Sequence, residues 1–181
     1  MTALRVSDPE DAAAIVEAVF DRQYWDKLDA GTLAHEEAKP LFHERLPKRL
    51  HAVADEIMDS WIYNIPLIKG MAELIRDIKE SGGKLYLLSN ISEYFAENYV
   101  HNAEVKGVLD LFDGLVFSAP IRLVKPGREI FSHILETYSL APEDSIFIDD
   151  NAGTIATAAE MGINTYNFDG DAGKLRAYLG L

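Results

Sequence analysis

The chain of 181 residues contains no cysteine. Disulfides, thiolate metal sites and cysteine nucleophiles are thereby excluded, and a reducing cytoplasm is the compartment that fits. Positive charge is scarce: 17 lysines and arginines stand against 30 acids, a formal net charge of -13. A surface of that sign repels nucleic acid and anionic membranes, so neither is an expected partner, and a small anionic substrate needs a local cation to offset the field. No apolar run approaches the roughly 20 residues that cross a bilayer. Met1-Thr2-Ala3-Leu4-Arg5 holds no signal-peptide core. Internal repeats and low-complexity tracts are absent as well. What is left, at 48% hydrophobic and 26% charged, is an ordinary globular composition with room for one core, or for a core and a small appendage. The expected state is a monomer or weak homo-oligomer.

Against that background one stretch organises the rest: Ser145-Ile146-Phe147-Ile148-Asp149-Asp150-Asn151. Its apolar run reads as a buried strand of a parallel sheet, with Asp149 and Asp150 at the carboxyl end, where open α/β sheets bind ligands. Two adjacent carboxylates are costly to hold unless a hard divalent cation such as Mg²⁺ neutralises them. The plain alternative is a turn in which Asp150 or Asn151 caps the following helix.

The first 65 or so residues read as all-helical. Asp8-Pro9-Glu10-Asp11 opens a helix whose apolar face runs through Ile15, Val19, Trp25 and Leu28 to a break at Ala30-Gly31-Thr32. Thr32 begins a second, with Glu36 and Glu37 early and Pro40 inside, and residues 46–61 form a third. From Pro66 the pattern changes to alternating helix and strand. Helices are expected over residues 71–81, 92–101, 129–138, 154–161 and 174–179, and strands over 84–88, 114–117, within the 145–151 stretch, and over 164–168. That alternation predicts an α/β fold with a doubly wound parallel sheet and right-handed crossovers.

Three strands then end in polar residues on one sheet edge: Ser89-Asn90, Ser118 and Asp149-Asp150. Lys125-Pro126 completes the set, since a lysine near a carboxylate pair and a hydroxyl can offset both the carboxylates and an incoming phosphate. Asp169-Gly170-Asp171 also follows a strand, but its ordinary reading is a turn into the last helix. The five histidines show no ligand spacing.

Leu87-Leu88-Ser89-Asn90, Val124-Lys125-Pro126 with Glu129-Ile130-Phe131, and Phe147-Ile148-Asp149-Asp150 with Ala158 and Gly162 resemble, in order and spacing, the haloacid dehalogenase superfamily of phosphohydrolases. The likeness covers residues 66–168 and is nearest to the branch with a small helical cap. A looser likeness in the cap rests on Trp25, Leu28-Asp29-Ala30-Gly31 and Glu36-Glu37-Ala38. It implies a Rossmann-like core at residues 66–181 under a helical cap at residues 1–65, and a small phosphorylated substrate. By the same resemblance Ser89 hydrogen-bonds the phosphoryl group, Asn90 helps position it, and Lys125 stabilises its charge. Asp150 ligates Mg²⁺ with Asp149 in support.

The resemblance also implies an Asp-x-Asp motif after a first strand, upstream of the cap, and no such motif precedes Asp8. This polypeptide is accordingly expected to lack the nucleophile for the covalent step. The absent strand is central in the family, so a gap is expected between the strands of Ser89 and Asp150, met by marginal stability, by closure of the neighbours, or by a strand from another chain. Thr154 and Arg122 are further departures. Three functions remain: a Mg²⁺-dependent phosphatase of small metabolites, with sugar phosphates as the analogy; a non-catalytic binding or assembly relative; and a 2-haloacid dehalogenase, which the acidic pair disfavours.

Overall fold

An aspartate starts the first helix. In the computed structural model, which describes residues 6–181, the Asp8 carboxylate accepts hydrogen bonds from the backbone of Glu10 and Asp11, and Pro9 lies in the first turn of α1 (Pro9–Val19). Residues 1–5, read above for a signal peptide, lie outside the described residues. The single helix expected as far as Leu28 is two. Asp21 adopts an extended backbone and caps α2 (Arg22–Asp29) through the Gln23 amide, while the Trp25 indole N–H donates to the Val19 carbonyl at 2.7 Å across the break. Helix α3 (His35–His43) begins three residues after Thr32. Its start is fixed by Glu37, whose carboxylate accepts from the Ala34 amide at 2.9 Å, and Thr32 instead donates to the Lys27 carbonyl. After a 3₁₀ turn at Lys48–Leu50 comes α4 (His51–Ser60). These helices enclose one core, in which Ile15, Val19, Leu28, Phe42 and Met58 are all but inaccessible. Each such side chain contributes about 1.5–3 kcal/mol of burial.

Beyond Pro66 the elements are α5 (Met71–Glu80), β1 (Tyr86–Ser89), α6 (Glu93–Asn98), α7 (Ala103–Leu109), β2 (Gly114–Phe117) and α8 (Ser118–Ile121). They continue with α9 (Arg128–Tyr138), β3 (Ile146–Asp149), α10 (Ala152–Glu160), β4 (Asn164–Asn167) and α11 (Ala172–Leu179). Helices α7 and α8 had no counterpart in the sequence reading: seven and four residues are too few for a helical period to emerge.

The strands make two parallel pairs rather than one continuous sheet. β1 pairs with β2, Leu88 opposite Val116, and β3 with β4, Phe147 opposite Thr165. Among the described residues no backbone ladder joins β1 to β3, so the closure of neighbours weighed above does not occur. Helices hold the pairs together instead. Ile130, Phe131 and Ile134 of α9 pack with Leu88 and Val116, and Phe131 meets Phe147 edge-on at 5.1 Å, so α9 touches both pairs. The next residue of β3, Ile148, points to the other face and joins Leu74 of α5 and Leu175 of α11. The fold is thus mixed α/β, mostly helical, with small parallel sheets.

Candidate active site

Each strand pair delivers a polar residue to the same rim, and Lys125 ties them together. The Asn90 side chain, just past β1, donates to the Lys125 carbonyl at 2.8 Å and accepts from the Lys125 amide at 2.8 Å. The Lys125 ammonium reaches the last residue of β3, lying 2.7 Å from Asp149 Oδ2 and 5.6 Å from the centre of the Phe147 ring. Because Asn90 and Asp149 both touch Lys125, the carboxyl ends of β1 and β3 share one edge. The ion pair is well enclosed, with side-chain exposures of 13% for Lys125 and 11% for Asp149. Breaking one partner of such a pair leaves an uncompensated charge. The Lys125-Pro126 peptide is cis.

The five residues singled out from the sequence differ in what they leave free. Both side-chain groups of Asn90 are committed to Lys125, so it holds the lysine. Asp149 is committed too: Oδ2 to Lys125 and Oδ1 to the Asn151 amide at 2.8 Å. Ser89 keeps its hydroxyl nearly free, its contact with the Asn90 carbonyl being 3.5 Å. Asp150 is exposed, and its carboxylate has no protein partner among the described residues. A hard cation needs uncommitted oxygens, and Mg²⁺ typically takes one or two carboxylates and keeps several waters. Asp150 fits that donor, with Asp149 acting through the lysine. Asn151, the rival capping residue, does cap α10, accepting from the Thr154 amide at 3.0 Å. Capping and an open acidic rim coexist because neighbouring residues perform them.

Ser118 belongs to a different role from the one its strand-end position implies. It is completely buried; its Oγ donates to the Asp29 carbonyl at 2.6 Å and accepts from the Ile91 amide at 2.9 Å. No capacity remains for a phosphate. Asp169 and Asp171 are likewise occupied. Asp169 pairs with Lys174 and accepts from the Asp171 amide, and Asp171 caps α11. Lys174, first among its causes, holds the Asp169 carboxyl below its usual range.

One cluster escaped the sequence reading. His35, Glu36 and Asp59 bring ligand-type atoms within 4.8 Å of one another. Their spacing hides it, since Asp59 comes from α4 and the other two from α3. The Lys39 ammonium already sits between the acids, 2.7 Å from Glu36 and 2.8 Å from Asp59, so the cluster carries its own cation. Burial opposes charge on Lys39, but these two hydrogen bonds outweigh it and its pKa is raised. The cluster abuts the α/β part, where the His35 ring stacks on Tyr94 at 3.8 Å and the Tyr94 hydroxyl donates to the Asp59 carbonyl. A half-buried acid also lies on the seam. The Asp29 carboxyl is pushed up to about 6, chiefly by burial and slightly by Asp26, against the pull of Arg22. Among the described residues its Oδ1 is buried without a hydrogen-bond partner.

Comparison with known proteins agrees with this architecture. A family profile described as "Hydrolase: haloacid dehalogenase-like hydrolase" matches residues 5–162. The sesquiterpene phosphatase astK of Aspergillus oryzae is 24% identical over 148 residues, 80% of this chain and 72% of that protein. The D-ribitol-5-phosphate phosphatase of Bacteroides thetaiotaomicron is 29% identical over 85 residues, 45% of this chain and 41% of that protein. Among solved structures, the magnesium complex of a HAD family enzyme from Bacteroides thetaiotaomicron superposes with a TM-score of 0.73 at 25% identity, covering 92% of this chain and 87% of that one. An aspartate-to-alanine variant of the same enzyme, holding magnesium and inorganic phosphate, gives a TM-score of 0.69 at 19% identity, covering 91% and 90%.

Proposed function

The chain belongs to the haloacid dehalogenase-like hydrolase family, and on that premise we propose that it is built as a Mg²⁺-dependent phosphatase of small phosphorylated metabolites. Residues 1–65 form a helical cap, and residues 66–181 a doubly wound core in which, among the described residues, no backbone ladder joins β1 to β3. The observation that carries the reading is the Lys125 knot: an enclosed ammonium, clamped through its backbone by Asn90 and paired with Asp149, with Ser89 next to Asn90 in sequence and Asp150 next to Asp149. In an acidic protein this cation is where an anion meets least repulsion.

Each residue then has a task. Ser89 donates to a phosphoryl oxygen, Lys125 offsets its charge, and Asn90 fixes the lysine. Asp149 keeps the ammonium aimed, and Asp150 holds Mg²⁺, which when bound neutralises phosphate charge. Positioning and charge neutralisation are most of what phosphoryl transfer requires. The covalent step needs a nucleophile, and these 181 residues supply no Asp-x-Asp ahead of the cap. Relatives named for a sesquiterpene phosphatase and a D-ribitol-5-phosphate phosphatase support phosphate monoesters as the substrate class; sugar phosphates are the small-metabolite case. The cytoplasm is the compartment that an acidic, cysteine-free chain suits.

Titration calorimetry with inorganic phosphate tests the reading. Binding is expected with Mg²⁺ present, weakened at least tenfold by Lys125→Ala, and absent binding by the unsubstituted chain refutes it. A second reading is a non-catalytic relative that binds phosphate without turning it over. An aryl phosphate with Mg²⁺ separates the two: this polypeptide is expected to give no turnover, and a clear rate excludes the non-catalytic reading. Halide release from a 2-haloacid without metal would revive the dehalogenase alternative.

A further inference from the structure

We propose that Ser118 is a positioning residue that couples the seating of the N-terminal helices to the geometry of the Asn90, Lys125 and Asp149 cluster. The inference rests on the reading of that cluster as a phosphate site. Its starting point is a continuous run of short contacts. The Asp29 carbonyl, at the end of α2, accepts from Ser118 Oγ at 2.6 Å, and the same oxygen accepts from the Ile91 amide at 2.9 Å. Ile91 follows Asn90, whose side chain grips both the amide and the carbonyl of Lys125. Lys125 in turn pairs with Asp149 at 2.7 Å. Five links therefore connect the last residue of α2 to the last residue of β3, and Ser118 is the link through which the N-terminal helices join.

Three features make this contact a joint rather than incidental packing. Ser118 is 0% exposed, so water cannot replace either partner. Two residues from Asp29, Gly31 has φ +66, and a Cβ there would lie 2.3 Å from the Ala119 carbonyl oxygen. The chain is thus pressed onto the backbone beside Ser118 with no slack. Ala119 also donates to the Ile91 carbonyl at 3.3 Å, so the segment after β1 is held from both of its backbone groups by the segment after β2. A shift of α2 must move Ser118, or break its bond, before the loop carrying Asn90 can stay where it is. A buried hydroxyl that only satisfied a carbonyl would stabilise the fold without affecting the rim.

The test uses the full 181-residue chain, labelled for NMR, with three variants: Ser118→Ala, Gly31→Ala and the double variant. The signals are the Asn90 side-chain amide and the Lys125 backbone amide. Gly31→Ala pushes the seam from the helical side and is expected to shift both signals. In the Ser118→Ala background the same push is expected to shift them less, because only the Ala119–Ile91 contact then carries it. Equal shifts in both backgrounds, or none in either, overturn the proposal. Should Ser118→Ala not fold, Ser118→Cys keeps the volume and offers a weak donor in its place. Inorganic phosphate with Mg²⁺ supplies the second measurement: Ser118→Ala is expected to weaken binding about five- to tenfold, and unchanged affinity counts against the coupling. Loss of phosphate binding in the unsubstituted chain would refute the phosphate reading alone, since the amide shifts report the coupling without any ligand.

Discussion

The two halves of this molecule solve the same problem with different success. The N-terminal helices close a core of their own, with Ile15, Ala54, Phe42 and Met58 at 0–1% exposure. The strands of the C-terminal half stay partly open: β3 has no buried residue and Ile146 is 45% exposed. The reason is where each element finds its backbone partners. A helix bonds within itself, so packing one apolar stripe completes it. A strand depends on neighbours along both edges, and among the described residues β1 and β3 each have a ladder on one edge. Fastening therefore falls to α9, which reaches both pairs.

That contrast can be broken at α9. Phe131→Ala is expected to have the largest effect, about 3–5 kcal/mol, because it empties a fully buried site touching both strand pairs. Phe42→Ala should cost a similar amount but leave the α/β half native-like. Urea unfolding followed by tryptophan fluorescence and by amide exchange distinguishes the two, and identical exchange patterns would mean that the halves unfold as one unit. Next comes Lys125→Ala, at about 3 kcal/mol, since it strands the Asp149 carboxylate in an enclosed place; Lys125→Met with Asp149→Leu should recover part of the loss.

Asp29→Asn works in the opposite direction. The folded protein binds the Asp29 proton more tightly than the unfolded chain does, whose carboxyl titrates near 3.8, so folding takes up a proton between pH 3.8 and about 6. The stability this group contributes is full below that range and lost as pH rises through 6. The variant should match the parent near pH 4 and exceed it above pH 7 by about 1–2 kcal/mol, after allowing for solvent screening. Denaturation at the two pH values measures the difference, and an equal gap at both would refute the buried-acid account. Smallest of all, Ile146→Thr on the half-open strand should stay within about 0.5 kcal/mol.

Much of this architecture was legible in the residues. The second strand was read at its observed bounds, 114–117, and the run to Asp149 was read as a strand because apolar β-branched residues between polar brackets admit little else. Lys125 is matched to the acids by its charge, by the neighbouring Pro126 and by the family resemblance, and Asp149 meets it. What stayed hidden was whatever depends on long-range partners. Ser118 sits at a strand end like Ser89, yet the descent of Asp29 onto it, 89 positions away in sequence, turns a plausible phosphate ligand into a joint. His35 and Asp59 have no shared period and meet only because α3 and α4 lie together. The break at Phe20 was hidden for a local reason: Asp21 caps a new helix without interrupting the apolar face.

The edges of β1 and β3 that carry no ladder among the described residues have one more consequence. A strand edge without a ladder is a mould, indifferent to the identity of the chain that fills it. At high protein concentration a neighbouring molecule's extended segment competes for that mould, and association should rise steeply with concentration and fall when a short apolar peptide is added in excess.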